Sequence, residues 1–80
     1  MKGILEFNLD DQEDEVAYMR CVKAKNLALA LWDIDHYLRS KTKHAPDYMS
    51  PEVYNTLLET RDELRRIMSH HSIDLDELLK

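Results

Sequence analysis

Apolar residues recur along this chain with two different periods. Over Ile4-Leu5-Glu6-Phe7-Asn8-Leu9 they alternate, placing Leu5, Phe7 and Leu9 on one side, which predicts a short β-strand over residues 4–9. A lone strand has no ladder, so it is expected to pair with another copy, with Ile73-Asp74-Leu75, or with a partner protein. From about Gln12 to about Lys41 the period becomes helical, with Asp10 or Asp11 as N-cap and Glu13, Asp14 and Glu15 in the first turn, where carboxylates complement the helix dipole. One stripe on this helix is Ala24, Leu27, Leu31, Ile34 and Leu38. A loop over 42–49, with Ala45-Pro46-Asp47, leads to Ser50-Pro51-Glu52, a helix start with Ser as N-cap and Pro at the first position. The second helix, about 51–70, answers with Val53, Leu57, Leu64, Met68 and, less regularly, Tyr54. The two stripes predict an antiparallel hairpin in which facing residue numbers add to roughly 92. Asp74 is placed to cap a short final turn over 74–79.

The first helix carries a second seam. Tyr18, Val22, Lys25, Leu29, Trp32 and His36 follow one another at alternating spacings of four and three, interrupted in apolar character only by Lys25. A two-helix hairpin has no second layer to cover such a row. The seam is therefore expected to be an oligomer interface built on Tyr18, Val22, Leu29, Trp32 and His36, unless the N-terminal strand folds back over it. The expected architecture is all-α and a single domain over 1–80. It consists of an antiparallel helical hairpin with a short N-terminal β-strand and a short C-terminal helical turn, assembled as a homo-oligomer.

Composition narrows the function classes. Eighty residues make a marginal core unless metal, disulfides or oligomerisation add to it. Cys21 is the only cysteine, so an internal disulfide and a Cys-rich zinc site are both excluded, and a free thiol suits a reducing cytoplasm. The acidic turn after Leu9 is unlike a signal peptide, and no apolar run approaches a membrane span. The net charge of −5 sits at the ends: residues 1–15 set Lys2 against six acids, and residues 72–80 set Lys80 against three. The body, residues 16–71, is faintly basic, with nine Lys/Arg against seven Asp/Glu. That distribution argues against a broad nucleic-acid footprint and leaves room for local positive pockets. Gly3 is the single glycine, so no Gly-rich phosphate loop exists.

Asp33 and His36 share a helix face, but the second helix offers no carboxylates on its inner stripe, so no metal site is expected. His70-His71 reads as a helix-end pair. A hairpin this small has no cleft of its own for acid–base chemistry, so no catalytic residues and no cofactor are expected. Asp35 and Arg61 both lie at the margin of the hairpin seam and predict a partly buried ion pair that fixes register. Arg65, Arg20 and Lys23 have no evident acidic partner. Together with Arg61 they are candidates for binding an anionic ligand at subunit junctions, with Tyr18, Trp32 and Tyr37 available to stack a base.

Gly3-Ile4-Leu5-Glu6-Phe7-Asn8-Leu9 followed by acids, Leu31-Trp32-Asp33-Ile34-Asp35-His36-Tyr37-Leu38-Arg39, Arg61-Asp62-Glu63-Leu64 and Ile73-Asp74-Leu75-Asp76 together resemble a family of small bacteriophage proteins of uncharacterised function. The resemblance spans nearly the whole chain, and the Leu-Trp-Asp-x-Asp-x-Tyr-Leu-Arg block is its most specific part. His36 stands where that pattern has Gln, and Pro46 departs from it in the loop. The resemblance implies a phage accessory protein in the cytoplasm of an infected bacterium, with no active site to carry over. On that footing the expected function is a non-enzymatic anti-defence sponge, an oligomer sequestering a cyclic nucleotide or NAD-derived immune signal. The alternative is an acidic inhibitor that binds a host defence enzyme or nuclease.

Overall fold

A computed structural model describes residues 1–80 and consists of three helices: α1 over Gln12–Lys43, α2 over Pro51–His70 and α3 over Leu75–Leu78. Each begins where its capping chemistry dictates. At α1 the Asp11 carboxylate accepts from the Asp14 amide at 3.0 Å, while the Asp14 carboxylate accepts from the Asn8 amide at 2.9 Å. The first bond satisfies a helix-end donor and the second a donor of the approaching chain. Ser50 Oγ accepts from the Val53 amide at 3.2 Å, with Pro51 at the first position of α2. Asp74 Oδ1 accepts from the Asp76 and Glu77 amides.

The all-α class holds, but the expected N-terminal strand does not form. No strand occurs anywhere in the chain. The physical reason is that its only internal candidate partner is used elsewhere. Ile73 and Asp74 belong to the end of α2 and the cap of α3, so no edge is left to supply a ladder. Residues 1–8 instead approach α1 without regular structure, held by the Phe7 ring edge-on to Tyr18 at 5.8 Å.

α2 ends in a Schellman motif. The Ile73 amide donates to Met68 O at 2.8 Å and the Ser72 amide to Ser69 O at 3.0 Å, with Ser72 in the left-handed region at φ 57°. This reversal turns the chain back, so that α3 packs on α1. Leu75 and Leu79 join Leu29 and Trp32, two of the six outer-seam residues, around an apolar groove of about 420 Å³. The chain's own two ends thus cover part of the seam, Phe7 at one end and α3 at the other.

α1 and α2 form the expected antiparallel hairpin, but with α1 rotated from the predicted stripe. Ala28 and Asp35, two turns apart, are the buried positions of α1. Leu31 and Leu38 are half-buried, whereas Leu27 and Ile34 are 60% and 49% exposed. Small Ala28 admits close approach of α2, and Asp35 must face it to meet two arginines. Only Ala28, Met68 and Asp35 of the 80 residues are buried, so the chain has almost no core of its own. Its radius of gyration, 17.8 Å, is well above the roughly 12 Å of a compact domain this long. The excess length is α1. At 1.5 Å per residue it runs about 48 Å against about 30 Å for α2, so its first half, about residues 12–25, projects beyond the hairpin.

Candidate functional site

The most chemically organised part of the molecule surrounds Asp35. Its carboxylate, 5% exposed, accepts from two guanidinium groups on successive turns of α2. Arg61 donates Nε to Oδ1 at 3.0 Å and Nη2 to Oδ2 at 3.1 Å; Arg65 donates the same pair at 3.2 and 3.4 Å. The spacing of four residues makes this possible, because Arg61 and Arg65 lie one above the other on one helix face. The Asp35–Arg61 pair is the one the register predicts. Arg65, read from sequence as lacking an acid, shares the same carboxylate. Hydrogen bonding by Arg61, against the opposing cost of burial and with help from Arg65, holds Asp35 down to about 2. The bond to Asp35 correspondingly raises Arg65.

Both arginines use only their Nε and Nη2 edges on Asp35, which leaves their Nη1 edges unengaged. Arg61 is mostly enclosed, but the Arg65 side chain is 57% exposed. Across α1, the His36 imidazole stacks on Trp32 with centroids 3.9 Å apart and 27° between planes, and His36 Nδ1–H donates to Trp32 O at 3.0 Å. Arg39, two turns on from Trp32, has no acidic partner. These groups line an open cleft of about 570 Å³, together with Met68 and Ser69 of α2 and Ile73, Asp74, Leu75 and Asp76 of the returning chain. An aromatic plate beside three arginines is a surface on which a planar, anionic molecule can lie. Asp35, Asp74 and Asp76 balance the three arginines, so the lining is neutral as a whole. Asp35 is committed to the arginines and Asp74 to capping α3, which leaves Asp76 as the free opposing charge.

The structure gathers three of the sequence-predicted ligand residues, Arg61, Arg65 and Trp32, into this cleft. It does not bring the other four to it. Tyr18, Arg20 and Lys23 lie on the projecting half of α1, where Arg20 flanks a shallow hollow with Gln12, Glu13 and Val16. Tyr37 is about 140° round α1 from Trp32, with the Lys41 ammonium 5.0 Å from its ring centroid. Of the predicted interface residues, Tyr18, Val22, Leu29 and Trp32 are exposed and His36 is half-buried. Sequence reasoning missed Arg39 and the acids of α3. Arg39 was within reach, because residues 32, 36 and 39 follow the helical repeat; Asp74 and Asp76 enter only through the reversal at Ser72.

No group of three or more His, Cys, Asp or Glu side chains is arranged to hold a metal ion, and no helix is long and apolar enough to cross a membrane. No protein-family model matches the chain, and no curated protein or solved structure matches it. The resemblance to a family of small phage proteins is therefore corrected: no family is shown. The strand in its opening block is absent, because that block forms the capped approach to α1 instead.

Proposed function

We propose that this chain is a non-enzymatic binding protein that acts as a homo-oligomer and sequesters a small nucleotide-type anion. The observation that carries the reading is the stacked Trp32–His36 pair sharing one cleft with Arg39 of the same helix and the half-open Arg65 of α2. Trp32 and His36 supply a stacking face. Arg39 and the Nη1 edge of Arg65 supply charge-assisted donors for phosphate oxygens. Asp35 acts as the positioning group, since its carboxylate is bonded by both Arg61 and Arg65 and holds the two guanidinium groups at the cleft. Asp76 opposes an anion and selects against weakly held ones.

A phage anti-defence role in the bacterial cytoplasm, with a cyclic nucleotide or NAD-derived immune signal as the captive, belongs to the same proposal and is decided by a ligand screen. Native mass spectrometry of the protein with a panel of such nucleotides is expected to show whole-number retention without turnover. Isothermal titration with a retained nucleotide should then show Arg39→Ala and Arg65→Ala weakening binding by about tenfold each, and Asp76→Asn strengthening it. Tyr37→Ala should leave affinity unchanged. Retention of no nucleotide, or affinity indifferent to Arg39 and Arg65, overturns the reading.

An inhibitor acting through its acidic N-terminus is the less favoured alternative. Two acids of that cluster are already engaged with backbone amides, Asp11 in capping α1 and Asp14 in holding Asn8 of the approaching chain.

A further inference from the structure

The first 14 residues of α1 project beyond the hairpin as an unpaired arm. Residues 12–25 have no α2 opposite them, yet Val16, Tyr18, Met19 and Val22 stand 41–56% exposed there. Water gains nothing from a bare apolar helix arm, and an isolated arm of this length is itself marginal. The outer seam runs along it, bare between the Phe7 contact at Tyr18 and the α3 contact at Leu29.

The order of residues along this arm is self-complementary. Counting from Arg20, Tyr18 and Val22 lie two positions to either side, and Glu15 and Lys25 five positions to either side. If a second copy of the helix is laid antiparallel with the two-fold axis at Arg20, each Tyr18 meets the partner copy's Val22. Each Glu15 likewise meets the partner copy's Lys25. These are the layers of an antiparallel coiled coil, with seam spacings of three, four and three. Lys25, the residue that breaks the apolar run, then ends the interface against an acid. Glu15 and Lys25 are the one directly opposed acid–base pair in this register, formed twice by the two-fold, since Lys23 faces Ala17 and Asp14 faces Asn26.

We propose that residues 12–25 of α1 form an isologous antiparallel interface with the same segment of a second copy of this chain. This deepens the homo-oligomer reading above, on which it rests, and is independent of the ligand. The surface available fits. The chain exposes 7149 Å², against about 5,000 Å² for a compact monomer of its mass. The excess of about 2,100 Å² comfortably contains the roughly 800 Å² per partner that a stable interface buries.

Sedimentation velocity of charge-reversed chains tests this, with circular dichroism confirming that each variant stays helical. Glu15→Lys and Lys25→Glu each set like charges together twice across the two-fold, and each is expected to weaken self-association by about tenfold or more. Mixed in equal amounts, the two variants are complementary at both ends and should recover a mixed dimer. A mixture that stays monomeric, or single variants that associate like the parent chain, overturns the interface. A parent chain that is monomeric at every concentration overturns the homo-oligomer reading with it. A parent oligomer indifferent to both reversals overturns only this surface.

Discussion

Asp35 shows how much one residue carries in a chain with so little core. A carboxylate buried without partners would protonate; this one stays charged because Arg61 and Arg65 each donate two N–H groups to it. Its value near 2 in the fold lies below the ordinary 3.8. For such a depressed acid the stabilisation is full above about pH 4 and is lost as the pH falls toward 2, amounting to about 2 kcal/mol. Denaturant unfolding should therefore show Asp35→Asn less stable than the parent at neutral pH, with the gap closing between pH 4 and pH 2. A gap that does not change with pH would mean that the Asn variant loses packing and not charge. The pairing with Arg61 was legible because both residues sit at the seam margin. The second pairing, with Arg65, was not, because it depends on how far α1 is rotated about its own axis.

At the scale of elements, the helix ends follow local chemistry. Asp11, Ser50 and Asp74 cap because their side-chain oxygens reach amides two or three residues on. Ser72 is the exception, an L-residue at φ 57° where glycine carries no steric cost. Ser72→Gly should raise stability by roughly 0.5 to 1 kcal/mol, read as a higher denaturant midpoint at unchanged slope. The opposite sign would show that the Ser72 side chain contributes more than its backbone costs. The reversal at Ser72 also decides the fate of the N-terminal segment. It takes Ile73-Asp74-Leu75 into the helix end and α3, so the alternating pattern of residues 4–9 meets no edge and forms no strand. Alternation marks which side chains share a side, but a ladder requires a second strand.

For the whole molecule, three buried residues and an extent of 56 Å leave too little interior to oppose the entropy of ordering 80 residues. Folding and association are therefore expected to be coupled. The thermal midpoint should rise with protein concentration, as it does when partner binding contributes to native stability. A midpoint independent of concentration, in a chain that melts cooperatively, would show that the hairpin stands alone. The cleft is also a property of the whole, since α1 supplies the aromatic plate, α2 the guanidinium pair, and the returning α3 the acids.

What is local was legible in the residues alone: helices with their caps, the loop at Pro46, an antiparallel hairpin, and two apolar seams on α1. These follow from residue spacing and from hydrogen bonds that span a few positions. Which stripe of α1 faces α2 was fixed by the packing of the folded chain. Apolar residues are spread round that helix, so burying Ala28 and Asp35 and leaving Leu27 and Ile34 exposed turns on the bidentate demand of two arginines across the hairpin. The packing also decided that Arg39, His36 and Asp76 share a cleft, because that juxtaposition depends on a chain reversal whose direction no helical period encodes.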